Sequence, residues 1–268
     1  MGAELKATGL SASRVGQAFS VLNSVFSFAV DCRRLVRNPA AARSIRQALP
    51  RTPIREMRFL TSEEVIALTT AVGDQYAALI LTLAVGGLRF GEAVALRNGR
   101  VDVLGRRLHV AESATEVHGK LVFGTTKSGR DRWVEVPRFV AHEIGVRMKD
   151  PADDPNSLVF ATPDGKPLRN SNFRTRVWPK ALVDAGIDTD TRIHDLRHTA
   201  ASLMIQDGAP LFLIQRQLGH ASVSTTQRYS HLYPSQGTEL AERINARFEI
   251  LSGAHVGSSE VSVIPMAR

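Results

Sequence analysis

The hydrophobic period of this chain changes twice along its length, and that change limits the folds open to it. Up to Leu96 apolar side chains recur at intervals of three and four, the spacing of a helix face. Between 107 and 136 they fall in short runs bounded by turn residues, which reads as strands. From Pro137 onward the helical spacing returns. The pattern predicts a mainly α fold with a small antiparallel β-sheet.

Ser11 or Ser13 can cap a first helix that carries Val15, Phe19, Leu22, Phe26 and Ala29 on one side. Asn38-Pro39 is expected to end that helix or its successor. Residues 40–58, with Pro50 and Pro53, read as a basic connector and a domain boundary. Thr61 and Glu64 have capping-box spacing and open the next helix. A helix over 74–85 is broken by Gly86-Gly87 and followed by another over 88–96. Strands are expected at Arg107–Val110, 121–125 and 132–136, the last two joined as a hairpin by a turn at 127–130. Helices follow over 138–149, 171–185, 194–207, 210–218 and 222–231. A final one, 238–251, carries Leu240, Ile244, Phe248 and Leu251 on one face. The last residues, from Ser252, read as a loosely ordered tail.

Charge is uneven. Residues 1–58 hold ten basic residues against three acidic ones, so seven of the eight net positive charges sit there. A basic segment beside a near-neutral body suggests a polyanion partner, although a solvated basic surface has the same composition. Arg14, Arg33, Arg34, Arg37, Arg43 and Arg46 are the candidate contacts. The longest apolar run, 77–87, is far short of the roughly 20 residues of a membrane span, and no leader pattern opens the chain. No membrane role is expected, and the cytoplasm is the default compartment. The single cysteine, Cys32, excludes an internal disulfide framework and reads as an inert core thiol.

Six scattered residues fit one chemistry, the handling of a phosphodiester. Arg89 follows the double-glycine break at a helix start, with Glu92 three residues on to orient it. Alone, the two would read as a surface ion pair. Lys127, near the hairpin tip, can donate a proton, though most such lysines only solubilise. His194 and Arg197 share a helix face. His198, four after His194, invites a metal reading, but Asp195 stands where a zinc peptidase has glutamate and no third ligand is evident, so no metal is expected. His220 follows a helix that ends in Gly219, and Tyr229 lies nine residues later. A phenol becomes nucleophilic where surrounding positive charge favours phenolate, and the cations upstream are suited to that.

The strings Gly87-Leu-Arg89-Phe-Gly-Glu92, Thr126-Lys127, His194-Asp-Leu-Arg197-His198, Leu218-Gly-His220 and Thr226-Gln-Arg-Tyr229 occur in an order that resembles the tyrosine recombinase, or phage integrase, family. The resemblance implies a catalytic domain over 59–251, a linker over 51–58, a tail over 252–268, and a partial helical core-binding segment over 1–50. Fewer than 60 residues precede Phe59, too few for the family's fuller helical domain or a separate arm-site-binding domain. It further implies that Arg89, Arg197 and His220 hold the non-bridging oxygens and that Tyr229 attacks phosphorus to form a 3′-phosphotyrosine. In the same scheme Lys127 protonates the leaving 5′ oxygen, His194 assists proton transfer and Glu92 supports the site. The implied activity is site-specific recombination without metal, ATP or other cofactor. The partners would be double-stranded DNA at attachment or core-type sites, a homotetramer in the synapse (a monomer when free), and accessory DNA-bending proteins. Alternatives are a type IB topoisomerase-like relaxing enzyme, and a DNA-binding regulator or inactive remnant that keeps the fold.

Overall fold

In the computed structural model, residues 9–50, 56–126, 129–148, 154–220, 222–233 and 237–252 are described. They divide into two units, Met1–Glu56 and Met57–Arg268. In the first unit, helix α1 (Ala12–Asp31) is capped by Ser11, whose hydroxyl accepts from the Arg14 amide. The helix stops well before Asn38-Pro39. Arg33 turns left-handed at φ 55, and the Arg34 amide bonds back to Ala29 O at 2.8 Å. A side chain there costs about 1–2 kcal/mol, which is why a sequence without glycine at this point gives no stop signal.

Asn38 begins an element where the sequence leads one to expect an end. Its side-chain oxygen caps the 3₁₀ turn Pro39–Ala41, and its amide nitrogen reaches Ser27 Oγ at 2.9 Å and Asn23 O at 3.1 Å. Helix α2 (Arg43–Ala48) then lies inside the stretch expected to be a connector. Cys32, expected in a core, is exposed just past the end of α1. Arg14, Arg33, Arg34, Arg37, Arg43 and Arg46 are all exposed.

The second unit opens with α3 (Ser62–Ala71). Thr61 and Glu64 form the expected capping box, each side chain accepting from the other's backbone amide. In α4 (Asp74–Ala84), Ala78 to Ala84 are buried without interruption. A helix covered on all sides has no solvent stripe, and α4 forms the centre of the core. Leu68, Leu79, Ile80 and Leu83 are fully buried around it, each worth roughly 1.5–3 kcal/mol relative to exposure. Gly86-Gly87 ends this helix and α5 (Phe90–Val94) follows.

Five short strands come next: β1 (Val101–Asp102), β2 (Arg107–Val110), β3 (Glu112–Val117), β4 (Lys120–Thr125) and β5 (Arg132–Glu135). They make two antiparallel sheets, ordered β1-β2-β5 and β3-β4. The expected hairpin between 121–125 and 132–136 is therefore absent. β4 pairs with β3, Val117 opposite Lys120, and β5 pairs with β2, Val110 opposite Arg132. The turn that joins β3 to β4 is His118-Gly119, both at positive φ, as a two-residue hairpin of this twist requires. A histidine in that position hides the turn from a reading of the sequence.

Helix α6 (Arg138–Arg147) packs against α4. Residues Asn170–Asn172, a π-helical turn Phe173–Val177 and α7 (Trp178–Asp184) form one continuous helical stretch. Then come α8 (Asp195–Gln206), α9 (Leu211–Leu218), α10 (Val223–Gln227), a 3₁₀ turn Ser230–Leu232 and α11 (Gly237–Ser252). On α11, Ile244 and Phe248 are exposed, while the Leu240 and Leu251 side chains, like residues 253–268, lie outside the described residues. No described helix is long and apolar enough to cross a membrane.

Candidate active site

Arg89 stands immediately before α5 and Glu92 one turn later. The Glu92 carboxylate, 1% exposed, accepts from the Arg89 guanidinium at 2.7 Å and from the Arg89 amide at 3.0 Å. The pair is thus an interior clamp, not a surface ion pair. A third participant arrives from β5. Arg132 donates to both Glu92 oxygens, at 2.8 and 3.3 Å, and through Nε to Gln217 O at 2.9 Å.

Arg197, on α8, is 2% exposed and donates to two backbone carbonyls, Gly87 O at 2.6 Å and Leu218 O. Gly87 is at φ +72, and a Cβ there would lie 2.5 Å from Leu218 Cδ2. Only glycine lets the turn after α4 approach closely enough to receive this arginine. The Arg197 guanidinium also lies 3.9 Å from Glu92. Three guanidiniums therefore surround one buried carboxylate, leaving net positive charge at the cleft floor.

α9 ends on Gly219, left-handed at φ 67, and delivers His220 into the cleft. His220 Nδ1 is 2.9 Å from the hydroxyl of buried Thr226. Tyr229, 2% exposed, lies between α10 and the following 3₁₀ turn, not inside one continuous helix over 222–231. Its ring stacks nearly parallel to His220, and its hydroxyl meets His198 Nδ1 at 2.7 Å. His194, just ahead of α8, packs edge-on against His198. Asp195, placed where a metal-peptidase glutamate would stand, is held on both oxygens by Arg192.

Arg89, His194, Arg197, His220 and Tyr229 thus line one cleft of about 370 Å³, joined by His198 and Arg228. Lys127 lies outside the described residues. The strands on either side of it belong to different sheets, so the hairpin expected to carry it is not formed. The six basic-segment arginines lie in the first unit.

The electrostatics of the cleft differ from the sequence expectation in one respect. Burial would push Glu92 up, but its bonds to Arg132, the Arg89 amide and the charge of Arg197 hold it at about 2. Burial, then Arg89, draws Arg197 down to about 9, which leaves it charged at neutral pH. Desolvation, with Arg197 and Arg89, lowers His194. Burial and His194 lower His198 to about 4, and burial with the three arginines lowers His220 to about 3. All three imidazoles are therefore neutral at pH 7. The sequence suggests a Tyr229 poised toward phenolate. Instead burial outweighs Arg197 and Arg228 and raises its pKa, so the resting phenol keeps its proton.

Sequence reasoning misses two members of this cluster. His198 suggests itself there only as a metal ligand, yet it holds the Tyr229 hydroxyl. Arg132 does not stand out at all. A signal for it exists: strand alternation puts Arg132 on the same face as fully buried Val134, and a charged residue there requires a buried partner.

The profile of the Phage integrase family matches residues 58–236. The chain is 33% identical over 236 residues to the integrase of Mycobacterium phage D29, covering 85% of this chain and 61% of that protein. It is 29% identical over 266 residues to the ICEBs1 integrase of Bacillus subtilis, covering 90% of this chain and 67% of that one. It therefore spans about three-fifths to two-thirds of the length of these curated relatives. Its fold is similar to that of the Tn1549 transposon integrase solved in complex with a circular intermediate DNA, with TM-score 0.73, 18% identity, and 91% of this chain and 82% of that chain covered. At that identity the likeness speaks for the fold alone. A profile match across residues 58–236, together with relatives that align over most of the chain, means that it belongs to the phage integrase family.

Proposed function

We propose that this chain is a site-specific DNA recombinase that cuts and rejoins double-stranded DNA through a 3′-phosphotyrosine link, without metal or ATP. The observation that carries the reading is the cleft itself, which Arg89, Arg197, His220 and Tyr229 line together. In this reading Arg89, Arg197 and His220 bind the non-bridging oxygens of one phosphodiester and stabilise the charge that builds on them. Tyr229 attacks phosphorus, Lys127 protonates the departing 5′ oxygen, and His194 assists proton transfer. Glu92 fixes Arg89. The energy of the broken phosphodiester is kept in the protein–DNA bond, so resealing needs no nucleotide. The DNA complex of the Tn1549 integrase supports DNA as the partner. Strand exchange between two duplexes calls for a homotetramer, and the basic arginines of the first unit, Arg33, Arg34 and Arg37 among them, are assigned to phosphate contact.

The test is incubation with a nicked duplex whose sequence the full chain has selected from a randomised pool. A covalent protein–DNA adduct is expected, lost in Tyr229→Phe and kept in Tyr233→Phe, whose hydroxyl is tied to Ala209 O at 2.7 Å. Excess chelator should leave the adduct intact. An adduct formed by Tyr229→Phe would overturn the assignment.

A further inference from the structure

We infer that His198 is the base that takes the phenolic proton of Tyr229 as the tyrosine attacks phosphorus. The inference rests on the reading of Tyr229 as nucleophile and adds the residue that makes the attack possible. A phenol buried with its proton in place cannot react until something accepts that proton. The geometry supplies one acceptor among the described residues: His198 Nδ1, 2.7 Å from the hydroxyl, on a ring 5.8 Å away and tilted by 56°.

The other candidates are committed elsewhere. The His220 ring lies parallel to Tyr229 within 11° with centroids 6.4 Å apart, and its Nδ1 already meets Thr226 Oγ1 at 2.9 Å. His194 turns its ring against His198, with centroids 4.9 Å apart. Asp195 is occupied by Arg192 on both oxygens. The charged and titratable groups facing His198 are His194, Asp195 and Arg197 from its own helix stretch, Arg192 ahead of it, and Tyr229, His220 and Arg228 from the opposite wall.

With the imidazole neutral at rest, Nδ1 can accept while Nε2 carries the hydrogen. In the step, the Oη–H bond breaks and its proton passes to Nδ1, giving an imidazolium. The Oη–P bond forms, the P–O5′ bond breaks, and the leaving oxygen takes a separate proton from the acid assigned to Lys127. A bound phosphodiester carries one negative charge, which offsets the guanidiniums that now disfavour imidazolium and moves His198 toward a working basicity. On resealing the same proton returns to the phenol. Arg197 and His198 are consecutive on α8, so one helix turn places both the oxygen-binding guanidinium and the base.

The experiment measures single-turnover cleavage of the selected nicked duplex by full-length wild type, His198→Asn and His198→Ala, with duplex binding followed in parallel. Asparagine can hold the phenol but cannot take its proton. His198→Asn should bind normally and cleave roughly 10²-fold more slowly or worse. Its rate should climb about tenfold per pH unit toward the tyrosine pKa, while wild type levels off near neutrality. A 5′-bridging phosphorothioate, which needs no leaving-group acid, should not restore the variant, and free imidazole should restore His198→Ala. Wild-type rates in His198→Asn, or a slow variant with an unchanged pH profile, would overturn the inference by reducing His198 to a packing role. Absence of any adduct with wild type would instead overturn the Tyr229 reading on which it stands.

Discussion

Arg132 takes both oxygens of Glu92, at 2.8 and 3.3 Å, and so competes for that carboxylate with Arg197, 3.9 Å away. Arg132 is itself pinned by Gln217 O, and Gln217 in turn donates through its side chain to Glu135 O on β5. The C-terminal end of α9 is thereby buttoned to the edge of the sheet, close to Leu218 O, to which Arg197 donates. Arg132 satisfies Glu92 and leaves the charge of Arg197 for the cleft.

Replacing Arg132 should therefore cost both stability and cleavage. In Arg132→Met the buried Glu92 loses two charge-assisted bonds and keeps Arg89, and Arg197, 3.9 Å away, is the next cation that can turn to it. A loss of about 3–5 kcal/mol is expected in urea unfolding, with cleavage strongly reduced. The Glu92→Met/Arg132→Met double variant should regain neither the stability nor the cleavage, because Arg89 and buried Arg197 are then left without the carboxylate they share. Equal stability of Arg132→Met and wild type would refute the clamp.

Glu92 also sets an acid limit. Its folded pKa, about 2, lies below the ordinary value of 4.5, so the folded state binds its proton less readily than the unfolded chain does. The resulting stability is fully present above pH 4.5 and disappears as pH falls from there toward 2. Its size is about 3 kcal/mol. The urea midpoint should fall through that window in wild type and more gently in Glu92→Gln. Parallel curves for the two proteins would show that the carboxylate carries no such linkage.

Gly219 is the corner that turns α9 toward His220. Its φ is +67, and an added Cβ would lie 2.8 Å from Arg132 Cδ and 2.9 Å from its guanidinium carbon. A flexible arginine could normally give way, but this one is held by Glu92 and Gln217. Gly219→Ala should lose the left-handed allowance of about 1–2 kcal/mol and also displace Arg132 and His220. A drop in cleavage larger than the drop in melting temperature explains is expected. Full activity with only a shifted melting point would show that the corner tolerates the methyl.

Much of this is legible in the sequence where one local rule decides the outcome. The capping box at Thr61, the break at Gly86-Gly87 and the helix stop at Gly219 depend on neighbours within four residues, and each stands where the sequence puts it. The strand pairing is not legible, because β4 chooses between β3 and β5 by contacts remote in sequence and by a His118-Gly119 turn with only half its usual glycine signal. The cleft residues can be named from their order, yet their protonation cannot. Composition counts the cations around Tyr229, whereas the phenol responds first to burial, which only the packed chain determines. Arg132 and His198 escape for a related reason: each matters through a partner 40 or 31 positions away.

The basic segment makes a prediction independent of the cleft. Arg33, Arg34 and Arg37 are exposed at and after the end of α1. Each arginine withdrawn from a phosphate should reduce the slope of log affinity against log salt by about 0.9. If all three arginines touch phosphate, the triple alanine variant should show a slope smaller by about 2.7 on duplex DNA of unrelated sequence. Cleavage at saturating protein should change far less than affinity, because these side chains act on binding and the cleft acts on the bond. Fluorescence anisotropy over a salt series reads the slope directly. A slope equal to wild type would mean that the positive charge of this segment is a solvated surface, and the DNA contacts would then have to be sought elsewhere on the chain.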